Sequence, residues 1–167
     1  AEGVVYKMGG EKNFYLAAEV EDETFSYPFI DSGIWANDMI QIGINPFCKG
    51  LKYYDYGLSM TKKGSQVWRY SAPNGIVLPN GEVSQVKLCI VRKGEKTIYE
   101  ASFPYSQLAP AKGFEGKRIK FALVVFDNDG DEYGTCRKGL KGWLRWFHGV
   151  VSGKNPRLYG DLVFSNE

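Results

Sequence analysis

The sequence predicts an all-β protein, an antiparallel and jelly-roll-like β-sandwich of about ten short strands with at most one or two short helical turns. Two observations support this prediction. Apolar residues recur at every second position in several segments, which is the period of a half-buried strand. The 167 residues also include 11 tyrosines, 10 phenylalanines, 4 tryptophans and 20 glycines, a composition typical of short strands joined by turns.

Length and charge restrict the classes of protein that the chain can belong to. One domain covering residues 1–167 can bury a substantial core, and its strand-like first residues suggest a module excised from a larger protein. The 21 basic and 19 acidic residues give a net charge of +2, too small to recruit nucleic acid or an anionic membrane. The longest apolar run, residues 121–126, is far shorter than the ~20 residues that span a bilayer. We therefore expect neither nucleic acid nor a membrane as a partner.

The first two strands are predicted to form a hairpin. Residues 14–21 alternate apolar and polar side chains, which places one apolar face toward the core. Residues 4–8 are predicted to pair with them across a Gly9-Gly10 turn. A loop over residues 22–37 follows, and loops of this length are uncommon unless they have a function.

Two later strands are predicted to build a polar surface. In residues 39–45 every second residue is isoleucine, so one face packs in the core and the other is expected to be exposed, polar and nearly flat. Residues 53–60 repeat the pattern. If the two strands are sheet neighbours, they form a shallow floor that a planar ligand can approach, made of Gln41, Gly43, Asp55, Gly57 and Ser59.

One further strand is predicted to be buried on both sides. Residues 119–126 are apolar on both faces apart from Lys120, as in a central strand. Alternation, glycine and proline predict the other elements, which are strands over 66–70, 84–91, 96–103, 143–147 and 158–164, a hairpin turn at 93–95 and a helical turn at 105–108.

Acidic residues cluster directly after the buried strand. Asp127, Asp129 and Asp131 place three carboxylates within five residues, an oxygen density that suits calcium. The loop departs from the helix-loop-helix calcium motif, because Gly130 falls at its fourth position and Lys138 at its twelfth. A solvated acidic turn is therefore the competing interpretation.

Asp22 and Asp38 form a second candidate group for a metal ion. Each lies at a strand boundary beside the 22–37 loop. A carboxylate in such a place can bind a metal ion, or it can cap a turn through backbone N–H groups. The sequence leaves both roles open.

The tryptophans supply candidate ligand-binding surfaces. Trp35 lies in a loop before the polar strand face and is the best candidate for exposure, whereas Trp146 is expected in the core. Trp68 and Trp143 fit either role. Aromatic faces bind the C–H faces of sugar rings, while amide, carboxylate and guanidinium groups bind the hydroxyls.

Catalytic, metal-binding and redox motifs are weakly represented. His148 is the single histidine, and neither a nucleophile elbow nor a Cys-His arrangement accompanies it, so a structural role is favoured over catalysis or haem ligation. Cys48, Cys89 and Cys136 lack the spacing of a zinc site and allow one disulfide plus a free thiol.

Five landmarks, in a defined order and spacing, span nearly the whole chain: residues 14–22, 35–42, 97–104, 121–129 and 159–162. Through these landmarks the chain resembles the family 9 carbohydrate-binding modules. The resemblance implies a β-sandwich with structural calcium. It also implies attachment to a secreted or cell-surface polysaccharide-degrading enzyme, and a sugar held between aromatic side chains.

The resemblance also implies roles for individual residues. Trp35 matches one aromatic of the family's sugar clamp, and Gln41 falls where members that bind chain ends often carry a glutamate. The clamp's second tryptophan would fall near Gly153, and an arginine on the neighbouring strand would fall near Gly57. The second wall of the site must then come from Trp68, Arg69 or Trp143.

The resulting hypothesis is a non-catalytic module that binds a polysaccharide or oligosaccharide beside a catalytic domain of the same polypeptide. Trp35 stacks on a sugar ring and Gln41 binds hydroxyls. Two alternatives stay open, a structural or interaction sandwich without a sugar site, and a catalytic or haem-binding relative using His148 with Met39 or Met60. Calcium is expected among Asp22, Asp38, Asp127, Asp129 and Asp131.

Overall fold

Two antiparallel β-sheets packed face to face form the protein, which confirms the predicted sandwich. The computed structural model describes residues 2–10, 12–130, 140–151 and 153–164. The strands in chain order are β1 (Glu2–Gly9), β2 (Asn13–Glu21), β3 (Met39–Asn45), β4 (Tyr54–Thr61), β5 (Gly64–Ser71), β6 (Gly81–Glu82), β7 (Lys87–Lys93), β8 (Lys96–Pro104), β9 (Arg118–Asn128), β10 (Leu140–Trp146) and β11 (Gly160–Val163).

The strand order follows from a few antiparallel pairings. The smaller sheet has the order β1-β2-β8-β7, and the larger has the order β10-β9-β3-β4-β5-β6, with β11 pairing with the first residues of β9. The predicted hairpins β1-β2 and β7-β8 are both present. The predicted neighbours β3 and β4 also pair, with Gln41 opposite Gly57 and Gly43 opposite Asp55.

Three 3₁₀ turns lie in the described loops, one more than the sequence predicts. The turn at residues 105–108 is confirmed. The other two turns were not located from the sequence. One of them begins at Pro156, where a fixed φ suits the first helical position, and the Asn155 side chain accepts a hydrogen bond from the Arg157 backbone N–H at 3.1 Å. The three turns are Asp31–Ala36, Tyr105–Leu108 and Pro156–Leu158.

The main core lies between the two sheets and is rich in aromatic rings. The Phe14 ring of β2 lies 6.1 Å from that of Phe103, 5.9 Å from that of Phe114 and 6.2 Å from that of Phe121, measured between centroids. The alternate isoleucines of β3 are fully buried against this cluster, as their spacing predicts. Alternation in the sequence therefore identifies the core face of both sheets.

The outer face of the larger sheet is covered as well, so the prediction of an exposed polar face on β3 is wrong. Every residue of β3 is buried. Met39 and Val124 pack there against Tyr159, which lies in the segment leading to β11. The Tyr159 ring occupies the space into which a side chain at Gly43 would project. The prediction that β9 is buried on both faces is confirmed by the same covering.

Two further expectations are resolved by the fold. The prediction that Trp146 lies in the core is wrong: its side chain is 38% exposed, because β10 is an edge strand of the larger sheet. The Trp146 ring stacks on that of Phe147, with the centroids 5.5 Å apart. Cys48 and Cys89 are free thiols, and Cys136 lies outside the described residues. Among the described helices, none has the length and apolar character needed to cross a membrane.

The close contact at Gly43 makes a testable prediction. A Cβ at this position overlaps the Tyr159 ring and hydroxyl, so Gly43→Ala should displace the segment that covers β3. We expect the free energy of unfolding in urea to fall by about 1–3 kcal/mol. Gly142→Ala is the matched control, because a Cβ at Gly142 meets nothing within 4 Å. Equal unfolding curves for the two variants would contradict the packing described here.

Candidate functional site

A cavity of about 400 Å³ opens on the outer face of the larger sheet. It lies where the 3₁₀ turn before β3, the strand β10 and the segment after residue 150 approach one another. Three residues that the sequence assigns to sugar binding meet here, namely Trp35, Gln41 and Trp143. The lining is completed by Tyr70, Phe126, Val151 and Lys154.

Trp35 is held on the rim of the cavity by the residues on either side of it. Ile34 and Ala36 are buried, whereas Trp35 itself is 40% exposed. Asn37 anchors the loop behind it, because its side chain accepts a hydrogen bond from the Phe29 N–H and donates one to the Phe29 carbonyl, each at 2.9 Å. The exposed indole is therefore carried on a fixed piece of backbone.

Trp143 forms a second aromatic surface of the cavity. It lies on β10 directly opposite Phe126 of β9, and the two ring centroids are 6.5 Å apart with an interplanar angle of 48°. Trp143 is 44% exposed. A large apolar ring with one free side is suited to pack against the C–H face of a sugar.

The floor of the cavity is a buried polar network. The Gln41 side-chain amide donates to Asp55 Oδ1 at 2.6 Å, and Lys154 Nζ lies 2.6 Å from Asp55 Oδ2. Asp55 is 1% exposed, and its burial raises the pKa of its carboxyl group, an effect that the Lys154 ammonium and the Gln41 amide oppose. The network therefore contains a charge-compensated pair under the aromatic walls.

The prediction of an open polar floor is wrong, because other side chains cover its glycines. The Tyr70 ring, with Met39 and Ile34, occupies the space beside Gly57. Ser59 is fully buried and accepts a hydrogen bond from the Asn37 amide at 3.0 Å. Of the floor residues that the sequence suggests, Gln41 alone lines the cavity, with Asp55 directly behind it.

Arg69 and Trp68 lie outside the cavity lining. The Arg69 side chain is 3% exposed and points into the sandwich, where it donates to Gln107 Oε1 at 2.9 Å and to the Pro79 carbonyl at 3.1 Å. Its guanidinium also lies 5.6 Å from the centre of the Tyr56 ring. Trp68 is partly buried on β5. The structure thus assigns Arg69 to the core.

The two acidic groups of the sequence come together at a single point. Carboxylate oxygens of Asp22, Asp38 and Asp127 lie within 4.8 Å of one another. The antiparallel pairing of β3 with β9 brings Asp38 and Asp127 together, because Met39 lies opposite Phe126, Asp38 directly precedes Met39 and Asp127 directly follows Phe126. Asp129 is near enough to raise the pKa of Asp22, and Asp131 lies outside the described residues.

The electrostatics of this acidic cluster fit a divalent cation. Burial raises the pKa of Asp38 to about 7, against two backbone N–H donors, those of Ser26 and Asn128. Charge repulsion from Asp22 and Asp127 contributes to this rise of the pKa. Three carboxylates at this spacing match the oxygen ligands of calcium, which sit 2.3–2.6 Å from the ion in most sites.

The residues proposed for a haem-binding relative are less favourably placed. His148 is exposed, whereas Met39 is fully buried in the cluster that covers the outer face of β3. Met39 would have to leave this packing before its sulfur could reach a ligand. Met60 is partly buried against the main core.

A larger groove of about 550 Å³ lies on the outer face of the smaller sheet. Its lining includes the exposed side chains of Tyr6 and Tyr15. None of the residues that the sequence assigns to sugar binding or metal binding lines it. We therefore place the candidate site in the smaller cavity, where exposed aromatic rings converge on a buried polar network.

Comparison with known proteins identifies the fold. No family model and no curated protein matches the sequence. A family 9 carbohydrate-binding module from Caldicellulosiruptor kristjanssonii, solved with glucose, superposes with a TM-score of 0.69 at 14% identity, covering 98% of this chain and 76% of that one. Its cellotriose complex gives 0.70 at 13% identity, covering 100% and 77%. The chain has the fold of family 9 carbohydrate-binding modules.

A third solved structure has the same architecture. It is a Bacteroides uniformis protein named for an inferred carbohydrate-binding role, with a TM-score of 0.65, 13% identity, and coverage of 98% of this chain and 79% of that one. The fold of these modules is thus shared across nearly the whole chain despite very different sequences.

The structure locates the position at which the sequence departs from the family's tryptophan pattern. Gly153, where the second clamp tryptophan was expected, is exposed, and its neighbours Val151 and Lys154 line the cavity. A second exposed tryptophan in the cavity lining is Trp143 on β10. This residue could be named from the sequence as a candidate, but its partner Phe126 could not.

The position of Arg69 makes a second prediction. Arg69→Met removes two charge-assisted hydrogen bonds and leaves the Gln107 and Pro79 oxygens without this donor. We expect the free energy of unfolding to fall by about 2 kcal/mol or more, measured by urea denaturation. Arg157→Met, at an exposed side chain, is the control and should change stability by less than about 0.5 kcal/mol. Unchanged stability of Arg69→Met would contradict the assignment of Arg69 to the core and would again allow it as a wall of the sugar site.

Proposed function

We propose that this protein is a non-catalytic carbohydrate-binding module that attaches a secreted or cell-surface polysaccharide-degrading enzyme to its glycan. In this role the chain is one domain of a longer polypeptide that also carries the catalytic domain. The fold it shares with modules solved with glucose and with cellotriose supports a sugar as the ligand class.

One observation carries the proposal. Two exposed tryptophans, Trp35 and Trp143, line one cavity whose floor is the hydrogen-bonded side chain of Gln41. Aromatic walls bind the apolar faces of sugar rings, and a fixed amide at the floor selects the orientation of hydroxyls. Trp35 stands on the 3₁₀ turn before β3 and Trp143 on β10, so two separate elements supply aromatic surface to the cavity.

We further propose that Asp22, Asp38 and Asp127 hold a structural calcium ion. The ion would compensate three carboxylates that otherwise repel one another beside the 22–37 loop. Asp129 is close enough to add negative charge to the site. Calcium here stabilises the loop and takes no part in a reaction.

Truncation of Trp35 tests the sugar site. Trp35→Ala removes a ring that is 40% exposed on the rim of the cavity, so we expect the affinity for the best-bound glycan to fall at least tenfold while the protein stays folded, as checked by its melting curve. Isothermal titration against glucose, cellotriose and a panel of plant and algal polysaccharides measures the change. Tyr15→Ala is the control, since Tyr15 is also 40% exposed but lies on the smaller sheet.

Two outcomes would count against this proposal. Full affinity of Trp35→Ala would remove Trp35 from the site. A wild-type protein that binds no member of the panel would favour an interaction domain without a sugar ligand.

Metal removal tests the calcium site. Calcium added to the chelated protein should stabilise it by about 2.7 kcal/mol at 100 times the dissociation constant, seen as a higher melting temperature. Asp38→Asn should abolish the shift, because it removes the most buried of the three carboxylates. Glu115→Gln, at an exposed carboxylate, should retain it. A melting temperature that ignores both chelator and calcium would refute a stabilising site.

A further inference from the structure

Lys154 brings a positive charge into the cavity that the sequence resemblance does not account for. It lies in the segment where the family's second tryptophan was expected, 99 residues from its ion-pair partner Asp55. Its side chain is 42% exposed, while that of Asp55 is 1% exposed. Lys154 therefore faces the cavity, whereas Asp55 is buried behind it.

The sealed carboxylate has both oxygens engaged by the cavity lining. Oδ2 contacts Lys154 Nζ at 2.6 Å, and Oδ1 accepts from the Gln41 amide nitrogen at 2.6 Å. Asp55 therefore fixes the side chains of Gln41 and Lys154, which both line the cavity. Asp55 takes one of the two N–H donors of the Gln41 amide, so the Gln41 side chain keeps one N–H donor and its oxygen as an acceptor for a ligand.

Lys154 keeps donors for a ligand. An ammonium group has three N–H donors, and Asp55 takes one of them. The Tyr70 ring, whose centre is 6.0 Å from Nζ, attracts the same charge from the cavity wall. The remaining donors belong to the exposed part of the side chain, next to Trp35 and Trp143.

We propose that Lys154 binds sugar hydroxyls in this cavity, and that Asp55, by neutralising Lys154 from behind, restricts the site to uncharged glycans. The inference rests on the proposed sugar-binding function and adds a ligand class to it. Lys154 is the contact residue. Asp55 is a positioning residue that acts through Lys154 and Gln41.

The restriction to neutral sugars follows from the geometry of the ion pair. A uronate carboxylate that reaches Lys154 Nζ also approaches the Asp55 carboxylate bound to that same nitrogen. Repulsion from Asp55 then offsets the attraction to Lys154, while the uronate still loses its hydration. A neutral hydroxyl accepts the same hydrogen bond without that repulsion, so it is the favoured group.

The first experiment tests Lys154 as a contact residue. Cellotriose is titrated calorimetrically into the wild-type protein, Lys154→Met, Lys154→Arg and the surface control Lys62→Met. We expect Lys154→Met to lower the affinity about tenfold or more, Lys154→Arg to restore most of it, and Lys62→Met to match the wild type. Because Lys154→Met leaves Asp55 without its cation, the double variant Lys154→Met with Asp55→Asn is measured alongside and should show at least the same loss.

The second experiment tests the role of Asp55. D-glucose and D-glucuronate differ at a single carbon, and their affinities are compared at pH 7 by NMR titration. The wild type should prefer glucose. Asp55→Asn should weaken glucose binding, because Lys154 and Gln41 lose their anchor, and should raise the ratio of glucuronate to glucose affinity at least fivefold, because Lys154 is no longer neutralised. A structural role for Asp55 would lower both affinities together.

The outcomes separate this inference from the proposed function. Wild-type binding of cellotriose with unchanged binding by Lys154→Met would overturn the inference and leave the sugar site standing. An unaltered glucuronate-to-glucose ratio in Asp55→Asn would overturn the role of Asp55. A wild type that binds neither cellotriose nor any glycan of the panel would overturn the proposed function itself.

Discussion

The hydrogen bonds to the buried carboxylate of Asp38 are the interactions on which the candidate site depends. One oxygen accepts from the Ser26 N–H and the other from the Asn128 N–H, each at 2.5 Å. The Asn128 side chain in turn donates to the Ala36 carbonyl. The 22–37 loop, the start of β3 and the end of β9 are thereby joined at one residue. Trp35 lies within this junction, so its orientation depends on the same contacts.

This junction has an electrostatic consequence that links it to the acidic cluster. Burial moves the pKa of Asp38 to about 7, although two N–H donors favour its charged form. Charge repulsion from Asp22 and Asp127 adds to the effect. Residue 127 directly follows Phe126, which lines the cavity. The backbone that carries Trp35 and Phe126 of the cavity is thus also the backbone that brings Asp38 and Asp127 together.

Sequence patterns predict the local elements of this structure and miss what distant segments add. Alternation identifies the core faces of β2, β3 and β4, and turn residues identify the hairpins. The covering of β3 could not be predicted, because Tyr159 reaches Gly43 from more than 100 residues away. Likewise Asp38 and Asp127 are separate motifs until the register of β3 with β9 brings them together. The residue types of Trp35, Gln41 and Trp143 made them candidate binding residues from the sequence. Lys154 could not be found in this way, because no motif around it indicates a binding residue.

The cavity shows why a single departure from the family pattern is followed by others. Tyr70 and Met39 fill the space beside Gly57, so no arginine side chain fits at that position. The cation that lines the cavity comes from another segment, because Lys154 lies in the loop where the second clamp tryptophan was expected. A loop that contributes a lysine at this point leaves the aromatic wall to another element. Trp143 on β10, supported from behind by Phe126, takes that place. The arginine and the tryptophan expected from the family pattern are thus absent from their positions, while Lys154 from the loop and Trp143 from β10 line the cavity, and Lys154 pairs with the buried Asp55.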